Sequence, residues 1–110
     1  MGPLISVIIL NYNGKDCIEE CLDSVLAQTY EPLEIIVVDN ASNDSSLEIL
    51  KEKYSSKIKL IESNANMGFA GGNNLALEDA KGEFIALLNN DAVADRRWIE
   101  EFMSAVSRCD

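Results

Sequence analysis

The sequence has 110 residues, 47% of them hydrophobic and 25% charged, which is typical of one small soluble globular domain. Its formal net charge is −10, and it contains no histidine. An acidic surface repels polyphosphates, so nucleic acid is not an expected partner. Zinc hydrolysis and Ser-His-Asp catalysis are disfavoured without histidine. Any acid, base or metal chemistry must therefore rely on carboxylates.

The three cysteines are an odd number without Cys-x-x-Cys spacing, and the N-terminus shows no signal-peptide pattern. Together these features predict a cytoplasmic protein. Cys17 and Cys21 lie four residues apart on a predicted helix and are interpreted as ordinary apolar side chains. No apolar run approaches the roughly 20 residues that cross a bilayer, so no transmembrane segment is predicted.

Four apolar runs rich in β-branched residues alternate with helical patterns, which predicts an α/β fold. The predicted strands are residues 6–10, 34–38, 57–62 and 83–88. The first, second and fourth are nearly continuous apolar runs, as in strands buried on both faces of a parallel sheet. The third, KIKLIE, alternates between polar and apolar residues and is placed at a sheet edge.

Helices are predicted over residues 18–26, about 45–54 and about 70–80, with a fourth after Asp95. Asn43 or Asp44 is expected to cap the second helix. Gly82 is expected to end the third helix in the left-handed conformation. The apolar stripe of the fourth helix consists of Trp98, Phe102 and Val106.

Right-handed crossover connections make 3-2-1-4 the most natural strand order for such a chain. In this order the first and fourth strands are neighbours at the topological switch point. Ligands of open α/β sheets bind there, beyond the carboxyl ends of the strands. The loops that follow the strands are therefore the candidates for function.

These loops are small and polar: NYNG after the first strand, DNASND after the second, NANMGFAGG after the third and NND after the fourth. Turn formation and helix capping explain any one of them, but their presence on one edge favours a binding site. Tyr12 either offers an aromatic face to a base or covers the end of the core. Asp39, directly after the second strand, is placed to accept hydrogen bonds from a ribose or a base.

The glycines Gly68, Gly71 and Gly72 form no G-x-G-x-x-G fingerprint, and the chain has no G-K-[ST] phosphate loop. They are interpreted as permitting tight turns and close contact between helix and sheet beside a ligand. Asp91 follows the fourth strand. A carboxylate there suits Mg²⁺ or Mn²⁺, which bind through one or two carboxylates plus substrate phosphates. Its alternative role is to cap the next turn.

In this order and spacing, the segments SVIILNYNG, IIVVDNASND, NMGFAGGNN and FIALLNNDA resemble the N-terminal nucleotide-binding half of a family 2 glycosyltransferase of GT-A fold. The resemblance covers almost the whole chain, so residues 1–110 are interpreted as the donor nucleotide-binding half of such a domain. It implies a Rossmann-like GT-A fold that is truncated here. The segments DNASND and GFAGGNN are most similar in sequence to the rhamnosyltransferase-like branch of this family.

The resemblance also implies roles for single residues. Tyr12 matches the aromatic residue that stacks on the nucleobase, and Asp39 matches the acid that hydrogen-bonds the base. Asp91 matches the last acid of the D-x-D metal motif, whereas Asn89 replaces its first Asp and implies weaker cation binding. The implied nucleotide-binding set is Tyr12, Asn13, Asp39, Asn40, Asp44, Gly68, Asn74, Asn89 and Asn90, with Asp91 as the metal ligand.

The function implied by the resemblance is transfer of a sugar, with inversion, from a UDP- or dTDP-linked donor to a saccharide or lipid-linked acceptor, with Mg²⁺ or Mn²⁺ as cofactor. The full enzyme would act in the cytoplasm or at the inner face of the membrane. Its catalytic base is expected beyond residue 110, so this chain is expected to bind nucleotide without turnover. Truncation would leave an unpaired edge on the fourth strand, which favours either pairing between copies, as in a homodimer, or aggregation. The alternative is a non-catalytic nucleotide-binding or scaffolding module of the same fold.

Overall fold

The computed structural model describes residues 2–108, in which four parallel strands alternate with four helices. The strands are β1 (Ile5–Asn11), β2 (Leu33–Asp39), β3 (Lys59–Glu62) and β4 (Phe84–Asn89). The helices are α1 (Ile18–Leu26), α2 (Ser46–Lys53), α3 (Gly68–Asp79) and α4 (Trp98–Arg108). The strand order β3-β2-β1-β4 confirms the predicted topology and the edge position of β3. Within residues 2–108, no helix combines the length and apolar character needed to cross a membrane.

The register of the sheet brings the ends of three strands to one level. Asn11 of β1 lies opposite Asp39 of β2, and Leu10 lies opposite Asn89 of β4. All strands run in the same direction, so their carboxyl ends share one edge of the sheet. The loops after β1, β2 and β4 therefore start side by side.

One face of the sheet is covered by α1, α2 and α4. The apolar positions of α1 recur with helical spacing, so they form one buried stripe against the sheet. Burial of such side chains contributes about 25 cal/mol for each Å² of apolar surface removed from water. The buried side chains of this layer are Ile5, Val7, Ile9, Ile18, Cys21, Leu22, Val25, Ile35, Val37, Leu50, Tyr54, Ala86 and Ile99.

The opposite face is covered by α3, which packs over β1 and β2. Gly72 makes this close approach possible, because a Cβ there would lie 2.8 Å from Leu10 Cδ2. This confirms the predicted role of a glycine in helix–sheet contact. The helix does not extend over β4, and Ile85 and Leu87 remain 36% and 48% exposed. The prediction that this strand is buried on both faces was therefore wrong.

The third helix ends close to the predicted position, but the prediction that Gly82 ends it in the left-handed conformation was wrong. α3 ends at Asp79, and Ala80 is already extended with φ −71° and ψ 132°. The positive φ in this region belongs to Gly68 (φ 73°) at the start of the helix, and not to Gly82. Gly82 is required for a different reason: a Cβ there would lie 2.5 Å from the backbone nitrogen of Ser6.

Two further expectations about helix ends and stripes need correction. The residue before α2 is Ser45, although Asp44 does bind the first turn, because its Oδ1 accepts a hydrogen bond from Ser46 N–H at 2.8 Å. In α4 the fully buried side chain is Ile99, whereas Phe102 of the predicted stripe is 38% exposed. The stripe is rotated because Ile99 joins the core beside α1, where its N–H also donates to Gln28 Oε1 at 3.0 Å.

The cysteines in the described residues behave as apolar side chains. Cys21 is buried in the α1 core and Cys17 is half-buried, while Cys109 lies outside residues 2–108. Burial, assisted by the charges of Asp91, Asp16 and Asp44, raises the pKa of Cys17. Burial also raises the pKa of Cys21 to about 12. Neither cysteine therefore has the lowered pKa that is typical of a reactive thiolate.

Candidate active site

A crevice of about 450 Å³ opens at the carboxyl edge of the sheet, where β1 and β4 are neighbours. The start of α3 forms its other wall. This position is the topological switch point, at which open α/β sheets bind their ligands. The floor is apolar and consists of Ile8, Leu10, Leu87 and Leu88. The rim consists of Tyr12, Asn40, Asn66, Gly68, Phe69, Asn73, Asn89, Asn90 and Asp91.

Six of the ten residues predicted from the sequence line this crevice: Tyr12, Asn40, Gly68, Asn89, Asn90 and Asp91. The Tyr12 side chain is 47% exposed, so it does not serve as a buried cover for the end of the core. Its ring is available to a ligand. Asp91 comes from the loop after β4 and is also exposed. An aromatic face and a carboxylate therefore border one crevice.

Asp39 does not line the crevice. It is only 1% exposed, and both of its carboxylate oxygens already accept hydrogen bonds within the protein. Oδ1 accepts from Asn11 Nδ2 at 2.9 Å and from Ser42 Oγ at 2.7 Å, and Oδ2 accepts from Ser42 N–H at 3.0 Å. These bonds close a tight turn in which Ala41 adopts the left-handed conformation (φ 63°), which disfavours residues with a Cβ. Asp39 thus shapes the loop after β2.

Asn13 and Asp44 lie outside the crevice lining and join the loop after β1 to the loop after β2. Asn13 Oδ1 accepts from Asn43 N–H at 2.8 Å, and Asp44 Oδ2 accepts from Lys15 N–H at 3.1 Å. Partial burial of Asp44 acts to raise its pKa. The hydrogen bonds from Ser46 and Lys15 outweigh that effect and hold the pKa of Asp44 below its ordinary value. The two loops are therefore cross-linked by charge-assisted and amide bonds.

The tenth predicted residue, Asn74, is exposed on α3 and does not line the crevice, whereas its neighbour Asn73 does. Successive residues of a helix point about 100° apart. Gly72, Asn73 and Ala76 are buried toward the sheet, and this phase turns Asn74 toward solvent. The spacing of those three small or amide residues is the sequence signal that identifies the inward face.

Six other lining residues were also missed: Ile8, Leu10, Asn66, Phe69, Leu87 and Leu88. Phe69 is 64% exposed, although it is a large apolar side chain beside a polar loop. Apolar residues of this kind bury surface when a ligand covers them. The sequence signal for Phe69 was a phenylalanine next to Gly68 at the start of a helix. Leu87 was assigned to the core because both faces of its strand were expected to be covered.

Asn40 contains an unpaired polar atom at the crevice. Its side chain is 4% exposed, its Nδ2 donates to Gly68 O at 3.3 Å, and its backbone N–H donates to Asn11 O at 2.8 Å. Its Oδ1 is buried without a hydrogen-bond partner among the described residues. An unsatisfied buried acceptor costs about 1–3 kcal/mol, so a donor from water or a ligand stabilises this position.

The donor set near Asp91 fits a hard cation only together with a phosphate ligand. Within residues 2–108 there is no group of three or more His, Cys, Asp or Glu side chains placed to hold a metal ion. Asp91 supplies one carboxylate, and Asn89 and Asn90 supply amide oxygens at the same rim. Mg²⁺ and Mn²⁺ are commonly held by one or two carboxylates while substrate phosphates and water complete the coordination.

Known glycosyltransferases are similar to this chain over most of its length. The family model described as Glycosyl transferase family 2 matches residues 6–109. An uncharacterised glycosyltransferase of Haemophilus influenzae is 37% identical over 110 residues, covering 98% of this chain and 34% of that protein. The Escherichia coli UDP-Glc:alpha-D-GlcNAc-diphosphoundecaprenol beta-1,3-glucosyltransferase WfaP is 43% identical over 88 residues, covering 80% of this chain and 35% of that protein. The chain spans about a third of the length of these relatives.

Solved structures share the fold. S. aureus TarS 1-349 in complex with UDP superposes with a TM-score of 0.85 at 29% identity, covering 94% of this chain and 32% of that chain. The mannosyltransferase PcManGT from Pyrobaculum calidifontis, in complex with GDP-Man and Mn²⁺, gives a TM-score of 0.81 at 32% identity, covering 87% of this chain and 30% of that chain. The sheet order and the switch-point crevice thus define a doubly wound α/β fold of the GT-A type. Within that class, the chain belongs to glycosyl transferase family 2.

Proposed function

We propose that the crevice binds the nucleoside diphosphate of a sugar donor. Residues 1–110 would supply the donor-binding half of an enzyme that transfers a sugar from a UDP- or dTDP-linked donor to an acceptor hydroxyl with inversion. The observation that carries this proposal is that Tyr12 and Asp91 border the same crevice at the switch point. An aromatic side chain suits a base, and a carboxylate suits a cation bound to phosphates.

Several properties of the crevice support a nucleotide. Its volume of about 450 Å³ lies within the range of small-molecule sites. The unpaired Oδ1 of Asn40 is an acceptor for a ribose hydroxyl or a base imide. UDP is bound in the TarS structure, and the E. coli relative is named for UDP-Glc. Asp39 supports the site indirectly by holding the loop that presents Asn40.

Asp91 would hold Mg²⁺ or Mn²⁺ together with the donor diphosphate, with an amide oxygen of Asn89 as a neutral second contact. The cation, when bound, would act as a Lewis acid that stabilises the departing diphosphate. With one carboxylate instead of two, the chain's own affinity for the cation is low, and cation and nucleotide bind together. The residues around Tyr12 and Asn40 would orient the nucleoside while acceptor attack occurs at the sugar.

No catalytic residue is assigned within the chain. We propose that the catalytic base and the site for a saccharide or lipid-linked acceptor correspond to the part of the relatives that this chain does not span. Residues 1–110 alone are expected to bind nucleotide without turnover. The rhamnosyltransferase-like branch and the cytoplasmic location, at the inner face of the membrane for a full enzyme, stay predictions. None of the relatives named above is described as a rhamnosyltransferase.

Isothermal calorimetry with UDP, dTDP and GDP, each with and without Mn²⁺, tests the proposal. Tyr12→Ala should weaken nucleotide binding under both conditions, and Asp91→Asn should remove the difference that Mn²⁺ makes. Asp79→Asn is the matched control, because Asp79 is exposed at the far end of α3 and away from the crevice. Equal affinities of the parent and both crevice variants would refute the site.

The rival function is a non-catalytic nucleotide-binding or scaffolding module, and one observation favours it. Position 89 is an uncharged Asn, so the rim of the crevice carries a single carboxylate, Asp91. The two functions can be distinguished with a longer protein that also includes the region present in the family members but not in residues 1–110. Release of UDP from a UDP-sugar in the presence of an acceptor supports the enzyme, whereas nucleotide binding without any release supports the module.

A further inference from the structure

We infer that Asn11 is a positioning residue. Its buried side chain holds the loop after β4, which contains Asp91, and the loop after β2 in the relative geometry that the crevice requires. Asn11 itself does not line the crevice. Its effect on nucleotide binding rests on the proposed function, but its effect on the loops does not.

The Asn11 side chain is fully buried, and all of its polar groups are used. Oδ1 accepts from Asn90 Nδ2 at 3.1 Å. Nδ2 donates to Asp39 Oδ1 and to Ser46 Oγ, both at 2.9 Å. One amide therefore connects the end of β1 to the loop after β4, the end of β2 and the start of α2. These partners lie 28 to 79 residues away in sequence.

The chemistry of position 11 explains why an amide is needed. The group must accept a hydrogen bond from Asn90 and, at the same time, donate to the carboxylate of Asp39. An ionised carboxylate accepts but cannot donate, and it would repel Asp39. An apolar side chain would leave the buried carboxylate of Asp39 without one of its donors, which is unfavourable.

Packing also constrains the contact between Asn11 and Asn90, independently of their hydrogen bond. Gly14, in the loop after β1, is buried against Asn11 and Asn90. A Cβ at this position would collide with both Asn11 Oδ1 and Asn90 Nδ2. The loop that begins with Tyr12 is thus folded directly onto the Asn11–Asn90 contact, and it cannot keep its path if that contact changes.

This arrangement links the two ends of the crevice. Tyr12 follows Asn11 in the chain, and Asn90 precedes Asp91. The backbone oxygen of Asn11 also accepts from Asn40 N–H at 2.8 Å. Loss of the Asn11 amide would therefore allow all three lining loops to shift relative to one another. Binding groups must be held to within about 0.5 Å of their required geometry, so such a shift would weaken ligand binding.

The first test compares Asn11→Ala with Asn64→Ala, because Asn64 is exposed and lies outside the crevice. We expect Asn11→Ala to weaken the binding of UDP with Mn²⁺ by about tenfold, the consequence of losing one or two buried hydrogen bonds. Asn64→Ala should bind as the parent does. Circular dichroism and Trp98 fluorescence establish whether each variant is folded.

The second test uses Asn11→Asp, which keeps the shape of the side chain. The charged groups around this position are Asp39, Asp44 beyond Ser46, Lys15 beside Asp44, and Asp91 beyond Asn90. Of these, Asp39 directly contacts position 11. Two adjacent carboxylates share a proton when the pH is lowered. The protonated group can again accept from Asn90 and donate to Asp39. UDP affinity relative to the parent should therefore be low at pH 8 and recover toward pH 5.

A third measurement needs no ligand. The side-chain ¹⁵N resonance of Asn90 should shift in Asn11→Ala, shift with pH in Asn11→Asp, and stay in place in Asn64→Ala. Parent-like Asn90 resonances in Asn11→Asp at pH 8 would overturn the inference, as would parent-like UDP affinity there. If the parent binds none of UDP, dTDP and GDP, the proposed function fails, and the role of Asn11 is decided by the Asn90 resonance alone.

Discussion

Substitution of Gly82 by alanine should destabilise the fold, because Gly82 brings the start of β4 against β1. A Cβ at position 82 would lie 2.5 Å from the backbone nitrogen of Ser6, 2.6 Å from Ser6 Oγ and 3.0 Å from the carbonyl carbon of Ile5. Backbone atoms cannot rotate away, so the two strands must separate locally. The N–H of Gly82 also donates to Ser6 Oγ at 2.9 Å, and this bond would be stretched.

The magnitude follows from two opposing effects. Overpacking a tight site costs about 1–3 kcal/mol, and the lower entropy of the unfolded chain offsets about 0.4–1 kcal/mol of this. We expect Gly82→Ala to lower the free energy of unfolding by about 1.3 kcal/mol. For a domain of this size that corresponds to a fall in Tm of about 7 °C.

Urea unfolding followed by Trp98 fluorescence measures this difference. Ser6→Gly provides a matched double variant, since it removes the contact with Oγ at 2.6 Å but leaves the contact with the backbone nitrogen at 2.5 Å. We therefore expect no rescue of Gly82→Ala by Ser6→Gly. A Gly82→Ala protein as stable as the parent, or one fully restored by Ser6→Gly, would refute the backbone clash.

Three further predictions concern the crevice, the core and the sheet edge. Asn73→Ala should weaken UDP binding measured by calorimetry, whereas Asn74→Ala should leave it unchanged; the reverse result would contradict the helical phase of α3. Burial, with the hydrogen bond to Asp23 at 2.8 Å, raises the pKa of the Tyr54 hydroxyl from its ordinary value of 10.0. The neutral hydroxyl thus stabilises the fold fully below pH 10, and this contribution is lost as the pH rises further. Urea unfolding at a series of pH values should show that loss in the parent and not in Tyr54→Phe. The Tyr54→Phe variant should also be about 1 kcal/mol less stable at neutral pH. The unpaired edge of β4 should support the predicted homodimer. Sedimentation velocity should show association that Ile85→Lys weakens, because a lysine on an edge strand opposes pairing, and a parent that stays monomeric at every concentration would rule the dimer out.

The topology and the location of the crevice were predictable because they depend on local patterns and on chirality. Continuous apolar runs identified the strands, and the alternation of KIKLIE identified β3 as an edge strand. Right-handed crossovers then left 3-2-1-4 as the natural order. Since parallel strands end on the same edge, the polar loops after them had to meet there, and Tyr12 and Asp91 do border one crevice.

The partners of the side chains within those loops were not predictable. The carboxylate of Asp39 accepts hydrogen bonds from Asn11, 28 residues away, and from Ser42 in its own loop. A strand-end acid looks the same in sequence whether it faces a ligand or a buried amide. The choice between Asn73 and Asn74 likewise depended on the rotation of α3, which Gly72 sets through its contact with Leu10.

The sequence by itself determined the α/β class, the strand order, the family and the edge of the sheet where the site lies, because each of these follows from residue periodicity, chain chirality or ordered motifs. Only the tertiary structure decided which polar groups point into the crevice and which ones brace it. Hydrogen bonds such as Asn90–Asn11–Asp39 join residues from three separate strand ends. Their geometry exists only once packing has fixed the register of those strands, and no local pattern encodes it.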